Sequence, residues 1–127
     1  MPRKWRFRLR DILNAIGQLE HHTRGLDRRS FKRDNKTVHA VLYNLYVIGE
    51  AASHLPKTVR EKHPGVDWNR IRGLRNVIAH EYFAVHLDIV WQAATEDAPA
   101  LTGSLRKILD EEPDDETRSG TPGGTTL

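Results

Sequence analysis

No cysteine occurs among the 127 residues, which removes a disulfide framework, a thiolate metal site and a cysteine nucleophile from consideration. No apolar run approaches the roughly 18 residues that a membrane span requires. The N-terminal stretch, residues 1–10, is basic but is not followed by the continuous apolar core of a signal peptide. The expectation is therefore a cytoplasmic protein without a membrane segment. No stretch alternates apolar and polar residues as a half-buried strand would, and no internal repeat is present.

What is present is charge, unevenly placed. The formal net charge is +3, yet residues 110–127 hold six of the 17 acidic side chains and one of the 20 basic ones. That leaves 19 basic against 11 acidic in residues 1–109, a net of +8. Such a body is compatible with a polyanion such as RNA, although charge alone favours an ordinary solvated surface. A chain of this length suits one domain. Residues 1–109 are read as that domain, and 110–127, acidic and rich in Gly, Thr and Pro, as a disordered tail.

Helical periodicity dominates the domain. Leu9, Ile12, Leu13, Ile16 and Leu19 recur at helical spacing, and Gly25 is placed to close that helix in a left-handed conformation. A polar link, rich in Arg and Lys, follows from Leu26 to Asn35. The second helix, about Lys36 to Leu55, carries a broad stripe of Val38, Val41, Leu42, Leu45, Ile48, Ala52 and Leu55 and is stopped by Pro56. Gly49 lies inside it at a cost of about 1 kcal/mol relative to Ala, which a close helix–helix approach would explain. A short helical turn occupies the Pro56–Gly65 stretch. Asp67 is an N-cap for a third helix, Trp68 to Tyr82, and Asp88 a candidate N-cap for a fourth. Pro99 falls within that fourth helix and is expected to kink or split it. The fold expected is all-α, an up-and-down four-helix bundle.

The third helix sorts into two faces at about 100° per residue. Ile71, Leu74, Ile78 and Tyr82 share a face suited to the core. Arg72, Arg75, Asn76, Ala79, His80 and Phe83 share the other, which has neither Lys nor a carboxylate. A second copy closing over that face by two-fold symmetry would bury its apolar members and bring two Arg, Asn and His sets into one basic cleft. Histidine titrates near neutrality and serves as general base or acid. Arginine holds a phosphate bidentately and stabilises charge building on it. Asparagine orients the imidazole or donates to a phosphate oxygen. RNA carries its own nucleophile, the 2′-hydroxyl, so neither a metal nor another cofactor is required, and the product would be a 2′,3′-cyclic phosphate with a 5′-hydroxyl end. Taken alone, a single helical histidine is more often structural.

The longer string around these residues is more specific. Residues 67–83, with Arg75, His80 and Tyr82 in an Arg-x4-His-x-Tyr arrangement, resemble the signature of the HepT-like family of the HEPN superfamily. Residues 44–52, Asn-Leu-Tyr-Val-Ile-Gly-Glu-Ala-Ala, resemble that family's second-helix motif. The similarity covers roughly residues 8–109. The resemblance implies a dimeric helical bundle with its catalytic motif at the dimer cleft. It implies the toxin of a type VII toxin–antitoxin pair, an endoribonuclease acting on tRNA or mRNA, and a partner that is a minimal, MntA-like nucleotidyltransferase antitoxin. It further implies that Arg75 and His80 are catalytic, that Asn76 supports them, and that Tyr82 accepts AMP groups from the antitoxin. The wheel puts Tyr82 with the core, so an acceptor role requires the helix to end near His80.

Other residues carry less. Glu50 is either a second wall of the cleft, pairing with Arg75 or positioning His80, or a plain surface carboxylate. Arg72 is a further candidate for cleft support. His21 and His22 are adjacent and so do not share a helical face, which argues against a metal pair. Trp5, Trp68 and Trp91 read as core or interface residues, with Trp5 in a basic arm where base stacking is conceivable. Against the nuclease stands a non-catalytic HEPN module that binds nucleotide or RNA, or serves as an assembly subunit.

Overall fold

Leu9, Ile12, Ile16 and Leu19 lie on one side of a helix, and in a computed structural model of the chain all four are buried to within 1% of complete. The structure describes residues 4–75 and 86–111. Their helix, α1, spans Trp5–Thr23, a turn earlier than the apolar repeat suggests. Trp5 is thus part of the first helical turn and packs half-buried against the core, not in a free basic arm. Arg6 beside it donates from Nη1 to the Leu109 carbonyl at 3.0 Å, tying this turn to the end of the domain. Gly25 closes the helix with φ +79°, the left-handed conformation that only glycine adopts without strain.

The link after α1 is not irregular. It contains a short helix, α2 (Arg28–Lys32), started by a reciprocal cap. The Ser30 amide donates to Asp27 Oδ1 at 2.8 Å, and the Asp27 amide donates to Ser30 Oγ at 3.0 Å. Its function in the fold is to bury Phe31 completely, with the ring 5.2 Å from that of Trp91. Five residues are too few for periodicity to reveal, and four of the basic side chains around Phe31 disguise the segment as a solvated link.

Asp34 caps α3 (Asn35–Ser53) by accepting from the Thr37 amide at 3.1 Å. The stripe foreseen for this helix is buried, and α3 packs along α1 as the centre of the molecule. α4 (Lys57–Lys62) buries Val59. α5 (Trp68–Arg72) starts at the expected cap, with Asp67 Oδ1 accepting from the Arg70 amide at 3.1 Å. Trp68 is buried while its Nε1 donates to the His63 carbonyl at 3.0 Å. The helix expected to run unbroken from Trp68 is interrupted by a turn at Gly73, with helical backbone again at 74–75. Its continuation to Tyr82 lies outside the described residues.

α6 (Leu87–Gln92) does not use Asp88 as its cap. The N-cap position is His86, and Asp88 sits in the first turn, where an acid complements the helix dipole. There Lys32 Nζ approaches it at 3.2 Å and Arg28 at 3.4 Å. The Lys32 hydrogen bond, foremost, holds the Asp88 carboxyl below its ordinary value. Pro99 neither ends the helix nor leaves its hydrogen bonding intact. After α6 the chain widens into a π-helical turn, Ala93–Asp97, in which the Ala98 amide donates to the Ala93 carbonyl at 2.9 Å. It then tightens to 3-10 over Pro99–Leu101 before α7 (Thr102–Glu111) resumes the α pattern. Proline supplies no N–H and its ring crowds the carbonyl four residues back. A change of register relieves both while the path stays helical.

Every regular element among the described residues is helical, so the class is all-α. No described helix is long and apolar enough to cross a membrane. The finer picture of four up-and-down helices gains two short helices, α2 and α4, and its third member is described only in part. Asp110 and Glu111 belong to α7 and not to the tail. Residues 112–127 lie outside the described residues.

Candidate active site

Gly49 is the local reason for the site. A Cβ placed on it would lie 2.6 Å from the Arg75 amide nitrogen, 3.0 Å from Arg75 Cβ and 3.1 Å from the Arg72 carbonyl. The helix carrying the candidate motif therefore rests directly on the backbone of α3. This close approach explains a glycine kept in a helix interior against its propensity. Ile71 and Leu74 of the same stretch are buried, to 2% and 8% exposure, as their face of the wheel requires.

The approach sets Arg75 against the next residue of α3. Arg75 Nη1 donates to Glu50 Oε1 at 2.8 Å, and the same nitrogen lies 3.4 Å from Ser53 Oγ. Ser53 Oγ donates in turn to the Glu50 carbonyl at 2.7 Å. His54 Nδ1 lies 3.0 Å from that carbonyl and 3.8 Å from Glu50 Oε2. Glu50, Ser53 and His54 are three and four residues apart, so one turn of α3 presents all of them.

The Arg75 and Glu50 side chains are 41% and 36% exposed. A pair so open to water contributes at most about 1 kcal/mol to folding. The contact matters for where it holds the guanidinium. An arginine has five N–H donors in a fixed fork, and Nη1 engages both Glu50 and Ser53, which orients the group while its exposed part faces solvent. Such an arrangement suits an anion arriving from outside.

Of the residues singled out from the sequence, the structure brings Arg75 and Glu50 together and places Arg72, half-buried, beneath Gly49 through its carbonyl. Asn76, His80 and Tyr82 lie outside the described residues. Ser53 and His54 were not anticipated. Their positions one turn beyond Glu50 were the signal available. No group of three or more His, Asp or Glu side chains able to hold a metal occurs among the described residues.

Comparison with known proteins identifies the family. The family profile described as "Ribonuclease HepT-like" matches residues 12–108. The chain is 34% identical over 108 residues to a protein of Thermococcus cleftensis named "Probable ribonuclease HepT", covering 85% of this chain and 98% of that one. It is 36% identical over 104 residues to a protein of Caldanaerobacter subterraneus subsp. tengcongensis named as a "Putative RNase", covering 82% and 93% of the two chains. A Methanocaldococcus jannaschii protein with the same description is 34% identical over 118 residues, covering 91% and 98%. No solved structure matches the chain.

Proposed function

The chain belongs to the HepT-like ribonuclease family, and we propose that it is a metal-independent endoribonuclease that cleaves RNA through Arg75 and His80. The observation that carries this reading is the oriented, half-exposed Arg75 guanidinium, held by Glu50 on a helix that rests on Gly49. His80 takes the proton of a 2′-hydroxyl, whose oxygen bonds to the adjacent phosphorus. The bond to the 5′-oxygen breaks, that oxygen is protonated, and a 2′,3′-cyclic phosphate remains. Arg75 stabilises the charge gathering on the phosphoryl oxygens. Asn76, next to Arg75 and four residues before His80, orients the imidazole.

The same reading places two copies face to face, each contributing its motif to a shared cleft, and puts the reaction in the cytoplasm. It makes the protein the toxin of a type VII toxin–antitoxin pair. An MntA-like nucleotidyltransferase antitoxin silences it by transferring AMP from ATP to the Tyr82 hydroxyl, with pyrophosphate leaving.

The test is cleavage of tRNA and mRNA by purified protein in EDTA, beside His80→Ala and Arg75→Ala. The wild type is expected to leave cyclic phosphate ends, and each variant to lose at least about 100-fold in rate. No cleavage by protein whose Tyr82 is unmodified by mass spectrometry would sink the nuclease and leave a nucleotide- or RNA-binding module.

A further inference from the structure

The solvent side of α3 carries a pattern that the Arg75 site does not absorb. Lys36, His39, Tyr43, Tyr46, Glu50 and His54 fall within an arc of roughly 100° on this helix, opposite the buried Val41, Leu45, Ile48 and Ala52. Tyr43 is 67% exposed and Tyr46 44%. Being three residues apart, the two rings are neighbours. They begin one turn from the Glu50–Arg75 pair, with Tyr46 about 6 Å and Tyr43 about 10 Å along the axis from Glu50 at 1.5 Å per residue.

Two adjacent exposed aromatic side chains on an otherwise polar arc mark a contact surface, and the charges around them select its partner. Lys36 and His39 stand exposed at one end and His54 at the other. Glu50 is the one acid on the arc, and its carboxylate already accepts from Arg75. The rings thus lie between Lys36 and His39 at one end and the Arg75 guanidinium and His54 at the other. A single RNA strand meets both demands. Its unpaired bases stack on aromatic faces while its phosphates follow the positive groups. A duplex hides its base faces and meets only the second demand.

We infer that Tyr43 and Tyr46 form a base-stacking platform that seats single-stranded RNA beside Arg75, so that the enzyme selects unpaired segments of its substrate. The inference rests on the ribonuclease reading and deepens it. Each ring holds one base of the strand, and Arg75 receives the phosphate that follows.

The test is binding of a 2′-O-methylated single-stranded oligoribonucleotide, which lacks the attacking hydroxyl, measured by fluorescence anisotropy. The wild type is compared with Tyr43→Ala/Tyr46→Ala and Tyr43→Phe/Tyr46→Phe, with assembly mass followed by light scattering. The alanine pair is expected to bind at least tenfold more weakly, and the phenylalanine pair within about twofold of wild type. Both pairs should keep the wild-type mass. Alanine variants that bind like the wild type would overturn the platform, as would a changed mass, which would make the arc a contact between copies. A wild type that cleaves RNA, with variants unaltered in KM, would remove the platform and spare the nuclease. A wild type that neither binds nor cleaves RNA would remove both.

Discussion

Gly49 lies so close to Arg75 that the hydrogen it carries in place of a side chain is part of the site, since a Cβ there would stand 2.6 Å from the Arg75 amide nitrogen. Neither partner can move alone, because each belongs to a packed helical backbone.

Gly49→Ala is therefore expected to destabilise the fold. Better helix propensity favours the alanine by about 1 kcal/mol, but forcing a methyl against backbone costs about 1–3 kcal/mol. RNA cleavage should fall further than stability does, since the shift lands on Arg75. Gly17→Ala is the control. Gly17 lies within α1 with nothing inside 4 Å of its virtual Cβ, so that variant should be more stable by about 0.5–1 kcal/mol. Urea unfolding of both variants checks the pair. A Gly49→Ala protein as stable and active as the wild type would contradict the contact.

Glu50→Gln keeps an acceptor for Arg75 and removes the charge. Stability should change by less than about 1 kcal/mol, as for other exposed ion pairs. If Glu50 orients the guanidinium, kcat for RNA cleavage should drop about tenfold or more, with KM less affected. A rise in rate would instead mean that Glu50 competes with phosphate for Arg75.

Phe31→Ala should be the most damaging change outside the site. The ring is fully buried beside Trp91, and removing a core phenylalanine typically costs about 3–5 kcal/mol. Trp fluorescence during urea denaturation would report the loss. A cost under about 1 kcal/mol would show that α2 is not a structural element.

The aspartates that start α2 and α3 give stability a defined pH dependence. Asp27 is held below its ordinary value of 3.8, chiefly by the Ser30 amide. Asp34 is held below it chiefly by the Thr37 hydroxyl, then by the Thr37 amide. A carboxyl depressed in the folded state stabilises fully above its unfolded pKa, and that contribution disappears as pH falls through the folded value. Melting temperature should thus decline as pH drops through and below 3.8. The decline should be shallower in Asp27→Ala/Asp34→Ala, whose neutral-pH stability is already lower. An acid response identical to that of the wild type would show that these caps are not among its causes.

The long helices were legible because their lengths exceed the period that reveals them. Leu9 to Leu19 and Val38 to Ala52 repeat over several turns, and burial of those residues followed. The Asp67 cap and the unfavourable helix propensity of Gly49 were equally local signals. α2 was not legible, because five residues offer no repeat and their meaning depends on Trp91, 60 positions away. Asp88 looked like a cap for the same reason. Its real partners, Lys32 and Arg28, are distant in sequence and become neighbours only when α6 packs on α2.

The sequence by itself determined that the chain is helical and that it is cysteine-free and basic in its body. These follow from composition and from periodicities read within a few turns, whereas the family was legible only through the resemblance of the string around Arg75, His80 and Tyr82. Only the tertiary structure decided that Glu50 meets Arg75 and not open solvent, how Pro99 is absorbed by a π turn, and why Gly49 is a glycine. Each of those depends on the distance between two backbones, which packing sets and no local pattern encodes.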